Sequence, residues 1–310
     1  MLGDPELDPI AGCEEIRYLK NTETPLSIAG HFIKIASLPD EFDFSISDPV
    51  AFIDRLKSQK TERIDIFTFT RSVYDKLPLF DYDAEWFNLA VLEYKDYQYW
   101  FEHILDDKTR NMVRKAGKKG VEIRVTEFND EFVRGIVEIY NETPVRQGRP
   151  FKHYGKTFEQ TRDANATHLE RSEFLGAYSG SELIGFIKLT FGDRTARAEQ
   201  IISKIAHRDK APTNALLAEA VRCCEKRGLP YLIYGSWPAQ ESFAQFKKNN
   251  GFTKVRLPRY YVALTAKGQL AIKLGWHRGL KDRIPESVRD KLVMLRERWY
   301  DLKGKLLKKE

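Results

Sequence analysis

Glu173-Phe-Leu-Gly-Ala-Tyr178, Ser179-Gly-Ser181 and Leu183-Ile-Gly-Phe-Ile-Lys-Leu189 are two β-rich runs around a turn. They open the stretch, Glu173 to Leu264, whose reading decides the fold. The turn residues suit a hairpin. A second turn, Gly192-Asp-Arg194, returns the chain into Ala196 to Ser203. After Ile205 comes a polar loop, His207 to Pro212, and then the helical run Ala215 to Val221. Thr213 is its expected N-cap, Gly228 stands where a C′ glycine belongs, and Pro230 lies beyond. Tyr231-Leu-Ile-Tyr234 reads as a short buried strand, and Glu241 to Asn250 as an amphipathic helix closed by Gly251. The order is three strands, a helix, a strand, a helix and a last strand.

This order resembles the GNAT acyltransferase fold, and within it the FemAB-like aminoacyl and peptidyl transferases. GNAT enzymes carry R-x-x-G-x-G/A between a strand and a helix, where the helix N-terminus offers unpaired N–H groups to the coenzyme A pyrophosphate. The matching letters here are Arg208-Asp-Lys-Ala211-Pro-Thr213, so the arginine is present and both glycines are absent. Ala211-Pro-Thr-Asn-Ala-Leu-Leu217 is similar to the A-P-x-N-A-L-L of FemAB-like proteins. Phe246-Lys-Lys-Asn-Asn-Gly251-Phe252 resembles the ending of the family's last helix. Thr109-Arg110 through Arg114, Ala116, Gly120 and Val121 resembles its T-R-x-x-x-R-x-A-x-x-x-G-V segment. The resemblance spans residues 100 to 265. It implies an α+β fold of layered α/β type, with two GNAT-like halves of which the C-terminal one is complete, plus a basic C-terminal helix. The expected domains are residues 1–105, a degenerate acidic half; 106–265, the transferase domain; and 266–310, a basic amphipathic tail.

Bulk properties fit an ordinary soluble protein of one large or two modest domains. The chain has 310 residues, 42% apolar and 31% charged, enough for a sizeable core. No apolar run approaches the roughly 20 residues that span a bilayer. The N-terminus, acidic and broken by proline, is unlike a signal peptide, so a cytoplasmic location is expected. Cys13, Cys223 and Cys224 have no metal-ligand spacing, and the adjacent pair suits core packing. Residues 1–105 hold 10 Lys and Arg against 20 Asp and Glu, whereas residues 106–310 hold 41 against 25. Such a split fits two units with different partners or plain internal complementarity.

In the acidic half, Ile64 to Thr70 and Trp86 to Tyr94 read as strands, and Asp48-Pro49 opens a capped helix to Lys57. Residues 97 to 120 read as one helix, apolar first and then a basic ladder of Arg110, Arg114, Lys115, Lys118 and Lys119. The ladder suits a solvated face or phosphate. Val121 to Val125 is a strand and Phe132 to Tyr140 a helix. Then comes a loop of about fifteen residues mixing Glu142, Arg146, Gln147, Arg149, Lys152, His153 and Tyr154, and long loops of this kind usually bind something.

From these residues the expected site is assembled. Glu142 or Glu199 would take a proton from an attacking amine, with Tyr154, Lys247 or Tyr234 protonating the leaving group. The helix-end tyrosine of many GNAT enzymes has no match, since its place falls at Lys247. Gln200, Ile201, Ile202 and Ser203, on the strand that pairs with the donor in GNAT enzymes, would face the donor carbonyl, together with Arg208, Thr213 and Asn214. Alternation places Glu199, Ile201 and Ser203 on one face and Gln200 and Ile202 on the other. Arg146, Gln147, Arg149, His153 and Tyr234 would hold the acceptor. The implied reaction moves an acyl or aminoacyl group from acyl-CoA or aminoacyl-tRNA to an amine of a small-molecule or lipid-linked envelope or glycan precursor. It needs no metal. A non-catalytic module binding an anionic glycan or lipid is the other reading. The tail, with 13 basic and 6 acidic side chains in residues 266–310, suits an anionic membrane surface or docking on its own protein.

Overall fold

The computed structural model describes residues 15–17, 26–39, 46, 48–58, 63–75, 79–146, 149–238 and 240–278. The tail helix expected at 285–309, Cys13 and Gln147 lie outside them. Two compact units divide the chain, Met1–Asn88 with Val255–Glu310 and Leu89–Lys254; the boundaries read from sequence were at 105/106 and 265/266.

The first unit begins with β1 (Glu15–Arg17), β2 (Leu26–Ala29), β3 (Ile35–Ser37), α1 (Pro49–Ser58) and β4 (Ile66–Thr70). The Asp48 carboxylate accepts the Ala51 N–H at 3.0 Å, and Pro49 takes the first turn, where its missing N–H costs nothing. β1, β2 and β3 are antiparallel neighbours, while β3 and β4 run parallel. A parallel step needs a crossover, and α1 supplies it. Its Phe52, Ile53 and Leu56 pack with Phe67 and Phe69 of β4.

β5 (Asp83–Glu93) carries the chain into the second unit. α2 (Tyr97–Tyr99) continues as a π-helical turn over Trp100–Ile104, and α3 follows at Asp107–Lys118. The single helix expected over 97–120 is therefore two helices. Asp106 breaks it, because its carboxylate accepts the Lys108 and Thr109 N–H groups at 3.0 and 3.3 Å and starts a new helix. Arg110, first member of the basic ladder, donates to the carbonyls of Phe101, Glu102 and Leu105 at 2.6 to 3.0 Å. It serves the open end of the π turn rather than a phosphate.

Then come β6 (Val121–Thr126), α4 (Asp130–Asn141), the small hairpin β7 (Val145–Arg146) and β8 (Arg149–Pro150), and α5 (Phe158–Asn165). β9 (Ser172–Ser179), β10 (Glu182–Phe191) and β11 (Thr195–Ser203) are followed by a 3-10 turn, Ile205–Lys210. α6 (Pro212–Lys226), β12 (Tyr231–Ser236) and α7 (Glu241–Asn249) complete the unit. The order read from Glu173 onward is the observed order. α5 was not read, although Thr157 and Gln160 form a full capping box at its start. α6 is capped by Ala211 and opens at Pro212, which places Thr213 inside its first turn. The helix ends at Gly228 (φ 67°), whose neighbour Leu229 donates its N–H to the Cys224 carbonyl at 3.0 Å.

β6, β9, β10 and β11 are antiparallel neighbours, β11 and β12 run parallel, and β5 closes antiparallel on β12. One face packs Ile187, Leu189 and Ala198 with Leu216, Leu217 and Ala220 of α6. The other packs Phe174, Leu183 and Phe186 with Phe132, Ile136, Ile139 and Tyr140, all of which except Phe174, Leu183 and Phe186 come from α4. Cys223 and Cys224 are buried, and burial pushes both thiols up to about 12, as core packing requires.

β13 (Thr253–Ala263) returns the chain to the first unit, where it pairs antiparallel with β4, and α8 (Ala266–Lys273) ends the described chain. Both units thus share one pairing pattern: antiparallel strands, a parallel step with a helix between, and an antiparallel closing strand. The two closing strands differ in their place along the chain. β5 stands at the start of the second unit, whereas β13, which closes the first unit, follows every strand of the second.

Candidate active site

The site is organised by the place where β11 and β12 part. They pair only through Thr195–Arg197 and Tyr231–Ile233, and no further pair joins their described residues. Beyond that point β11 carries a bulge: Lys188 of β10 faces Gln200, Leu189 faces Ala198, and Glu199 is the extra residue. A bulge bends the strand and resets its alternation. Ile201 therefore joins the α6-side core, and Ile202 joins the α4-side core. Gln200 reaches the α4 side too, where it meets Tyr140, while Ser203 turns to α6.

On the α6 side the Ser203 and Thr213 hydroxyls are 2.8 Å apart. No side chain caps α6. Ala211 occupies the first glycine position of the GNAT motif and holds the left-handed φ of 53° that glycine would adopt freely. Arg208 sits in the 3-10 turn and Asn214 in the first turn of α6.

On the α4 side the loop after Tyr140 is tied down. Glu142 accepts N–H groups from Ile205 and Ala206 at 2.7 and 2.8 Å and pairs with Arg146 at 3.1 Å. Both of its oxygens are engaged, so it holds the loop to the 3-10 turn. Arg146 also donates to the Ser203 and Ile139 carbonyls at 2.7 and 2.9 Å and lies 4.5 Å over the Phe151 ring. Burial lowers its pKa. His153 is 8% exposed and stacks on Tyr140 with ring centroids 4.5 Å apart. Burial, then the charges of Lys156, Lys152 and Arg146, push its pKa down to about 3, so the ring is neutral. Tyr154 is exposed, and Arg149 lies in β8.

At the end of β12, Lys247 of α7 is buried and donates to the Tyr234 and Ser236 carbonyls at 2.6 and 2.7 Å, 4.5 Å from the Tyr234 ring centroid. Glu199 pairs with Arg197 at 2.6 Å and is exposed. The structure thus joins Glu142, Arg146, Ser203 and Thr213 in one network and His153 with Gln200 in another, and sets Lys247 on Tyr234. No hydrogen bond links Glu142 to Glu199.

Three residues were missed. Tyr140 donates to the Gln200 side-chain oxygen at 2.6 Å, and Asn165 donates to the Tyr140 hydroxyl at 3.3 Å. Lys188, 3% exposed, donates to the Asn165 and Thr167 carbonyls and to the Thr167 hydroxyl at 3.0, 2.6 and 2.7 Å. Its signal was visible: one lysine inside the apolar run Leu183 to Leu189.

No family model and no curated protein matches the chain. Among solved structures, FemX is similar over 79% of this chain and 87% of its own, at 12% identity and a TM-score of 0.57. The C-terminal domain (DUF2156) of a putative lysylphosphatidylglycerol synthetase from Agrobacterium fabrum is similar over 84% and 88%, at 12% identity and 0.53. A conserved protein from Bacteroides thetaiotaomicron VPI-5482 is similar over 78% and 83%, at 9% identity and 0.51. At these identities the fold is what is shared. It is the GNAT-like, FemAB-like fold that the sequence resemblance implies.

Proposed function

We propose that the chain is an N-acyltransferase that moves an acyl or aminoacyl group from an activated donor to an amine of a cell-envelope or glycan precursor. The observation that carries this reading is the parting of β11 from β12 at the Glu199 bulge, which leaves the strand from Gln200 to Ser203 unpaired on its β12 side. A donor laid there would meet backbone N–H groups able to hold a tetrahedral oxyanion, with the uncapped start of α6 beside it for a phosphate. Ser203, Thr213, Asn214 and Arg208 belong to this donor side. With Glu142 engaged, Glu199 is the carboxylate we assign to proton removal from the amine, once the substrate displaces Arg197. Lys247 would meet negative charge developing on the leaving group, and Tyr154 would serve the acceptor side.

The donor is acyl-CoA or aminoacyl-tRNA. Ala211 adds a Cβ where the coenzyme A motif has glycine, which disfavours close approach of a pyrophosphate, whereas the basic balance of residues 106–310 suits tRNA phosphates. Incubating the folded protein with acyl-CoA and aminoacyl-tRNA panels and reading products by mass spectrometry tests the proposal. Failure with both donor classes would refute it. The full engagement of Glu142 favours a second reading, a non-catalytic module for an anionic glycan or lipid precursor. In that case Glu199→Gln leaves ligand affinity intact and there is no turnover to lose.

No helix among the described residues is long and apolar enough to cross a membrane. Peripheral contact is part of the proposal, because Leu270, Leu274 and Trp276, in the described first part of the basic tail, are exposed.

A further inference from the structure

The hydrogen bonds around His153 fix which of its nitrogens carries the proton. Asn165 donates one side-chain N–H to the Thr161 carbonyl at 2.8 Å and reaches the Tyr140 oxygen at 3.3 Å. The buried Tyr140 hydroxyl must then donate, and it does so to the Gln200 oxygen at 2.6 Å. That leaves the Gln200 amide nitrogen facing His153 Nε2 at 3.0 Å, so Nε2 accepts. A neutral imidazole with an accepting Nε2 carries its hydrogen on Nδ1. That Nδ1–H is buried and has no hydrogen-bond partner. A second buried N–H, the Nε of Arg146, also lacks one. Both side chains pack on Phe151, the guanidinium 4.5 Å over its ring and the imidazole centroid 5.3 Å away.

An unpaired buried donor costs free energy, and two of them on one loop among like charges call for an acceptor. Lys152, Lys156 and Arg146 all place positive charge near His153. The missing partner is therefore an anionic oxygen. We infer that His153 Nδ1–H and Arg146 Nε form the anion-binding end of the acceptor subsite, taking a carboxylate or phosphate oxygen of the acceptor. This inference rests on the acceptor side of the proposed function. It deepens that reading by specifying an acceptor that carries an anionic group close to its amine. The Asn165–Tyr140–Gln200 relay acts as a positioning device, because it holds the imidazole in the tautomer that donates.

Full-length protein labelled with 15N-histidine tests this by long-range proton–nitrogen correlation, with the His153 signals assigned from His153→Phe. The free protein should show the Nδ1–H tautomer. Inorganic phosphate or acetate should shift that signal saturably, while chloride at equal ionic strength should not. A response to phosphate alone identifies a phosphate-bearing acceptor, and a response to acetate alone a carboxylate. An Nε2–H tautomer, or no saturable response to either anion, overturns the inference. His153→Phe keeps the stack on Tyr140 and should weaken anion binding about tenfold or more. Should that variant fail to fold, Lys152→Gln with Lys156→Gln leaves the buried donors in place and should lower affinity with a shallower salt dependence; unchanged affinity there overturns the inference. Anion binding without transfer from any donor would leave the subsite standing and refute the transferase. Transfer without anion binding would do the reverse.

Discussion

Lys188 offers a test of how the interior beneath the candidate site is held. Its ammonium is surrounded by the Asn165 and Thr167 carbonyls and the Thr167 hydroxyl, one acceptor for each proton, and contact with water is nearly gone. Burial lowers its pKa from 10.5 to about 8, with Glu199 opposing the shift and Arg197 assisting it. Below pH 8 the folded and unfolded chains both hold the proton, and above 10.5 neither does. Between these values the unfolded chain holds more of it, so stability rises with pH across the window. At 1.36 kcal/mol for each tenfold in proton affinity, the ceiling is about 3 kcal/mol. Water reaching the site as it relaxes makes about 1–3 kcal/mol the expected gain. The assay is urea unfolding of wild type and Lys188→Met at several pH values between about 7 and 10.5. The variant subtracts every other titrating group, so the wild-type-minus-variant difference should grow by about 1–3 kcal/mol. A flat difference would show that Lys188 titrates normally and that the burial argument is wrong.

Gly251 has φ 87°, and a Cβ there would come within 2.4 Å of the Ile104 side chain; Gly251→Ala should cost about 2–4 kcal/mol by chemical denaturation. Thr157→Ala removes one half of the capping box of α5 and should cost about 1 kcal/mol. Ala211→Gly should be neutral or stabilising by up to about 1 kcal/mol in thermal melts, because glycine adopts the φ of 53° without strain. If coenzyme A is the donor, the same change should tighten its binding in calorimetry. Truncation after Gly279 should abolish flotation with anionic vesicles at low salt; a large fall in melting temperature without vesicle binding by the full chain would make the tail a structural strap instead.

The order of elements from Phe174 onward was legible because glycine turns at Gly180, Gly192, Gly228 and Gly251 punctuate runs of clear period. The helix break at Leu105 was not, since the apolar and basic halves share a period and only the Asp106 side chain divides them. The β11 bulge was also hidden: one extra residue changes which faces are presented without changing composition. Glu142 reads from sequence as part of the loop and is the C-cap of α4; its engagement by the Ile205 and Ala206 N–H groups depends on backbone some 60 residues away. Tyr140 looked like core and is core. Its role in orienting Gln200 follows from a hydroxyl whose partners lie on two other elements.

The late place of β13 in the chain sets an order of events during synthesis. When the ribosome has finished β4, the first unit still lacks the strand that β4 needs on its open side, and that strand, β13, is made only after every element of the second unit. The second unit meets no such delay, because β5 is already available when β12 emerges. A nascent chain therefore carries an incomplete N-terminal sheet with an open edge for the time it takes to translate roughly 190 residues, about 10–40 s at ordinary elongation rates. Such an edge invites pairing with other chains, so the newborn protein is most vulnerable at the end of the sequence that is made first.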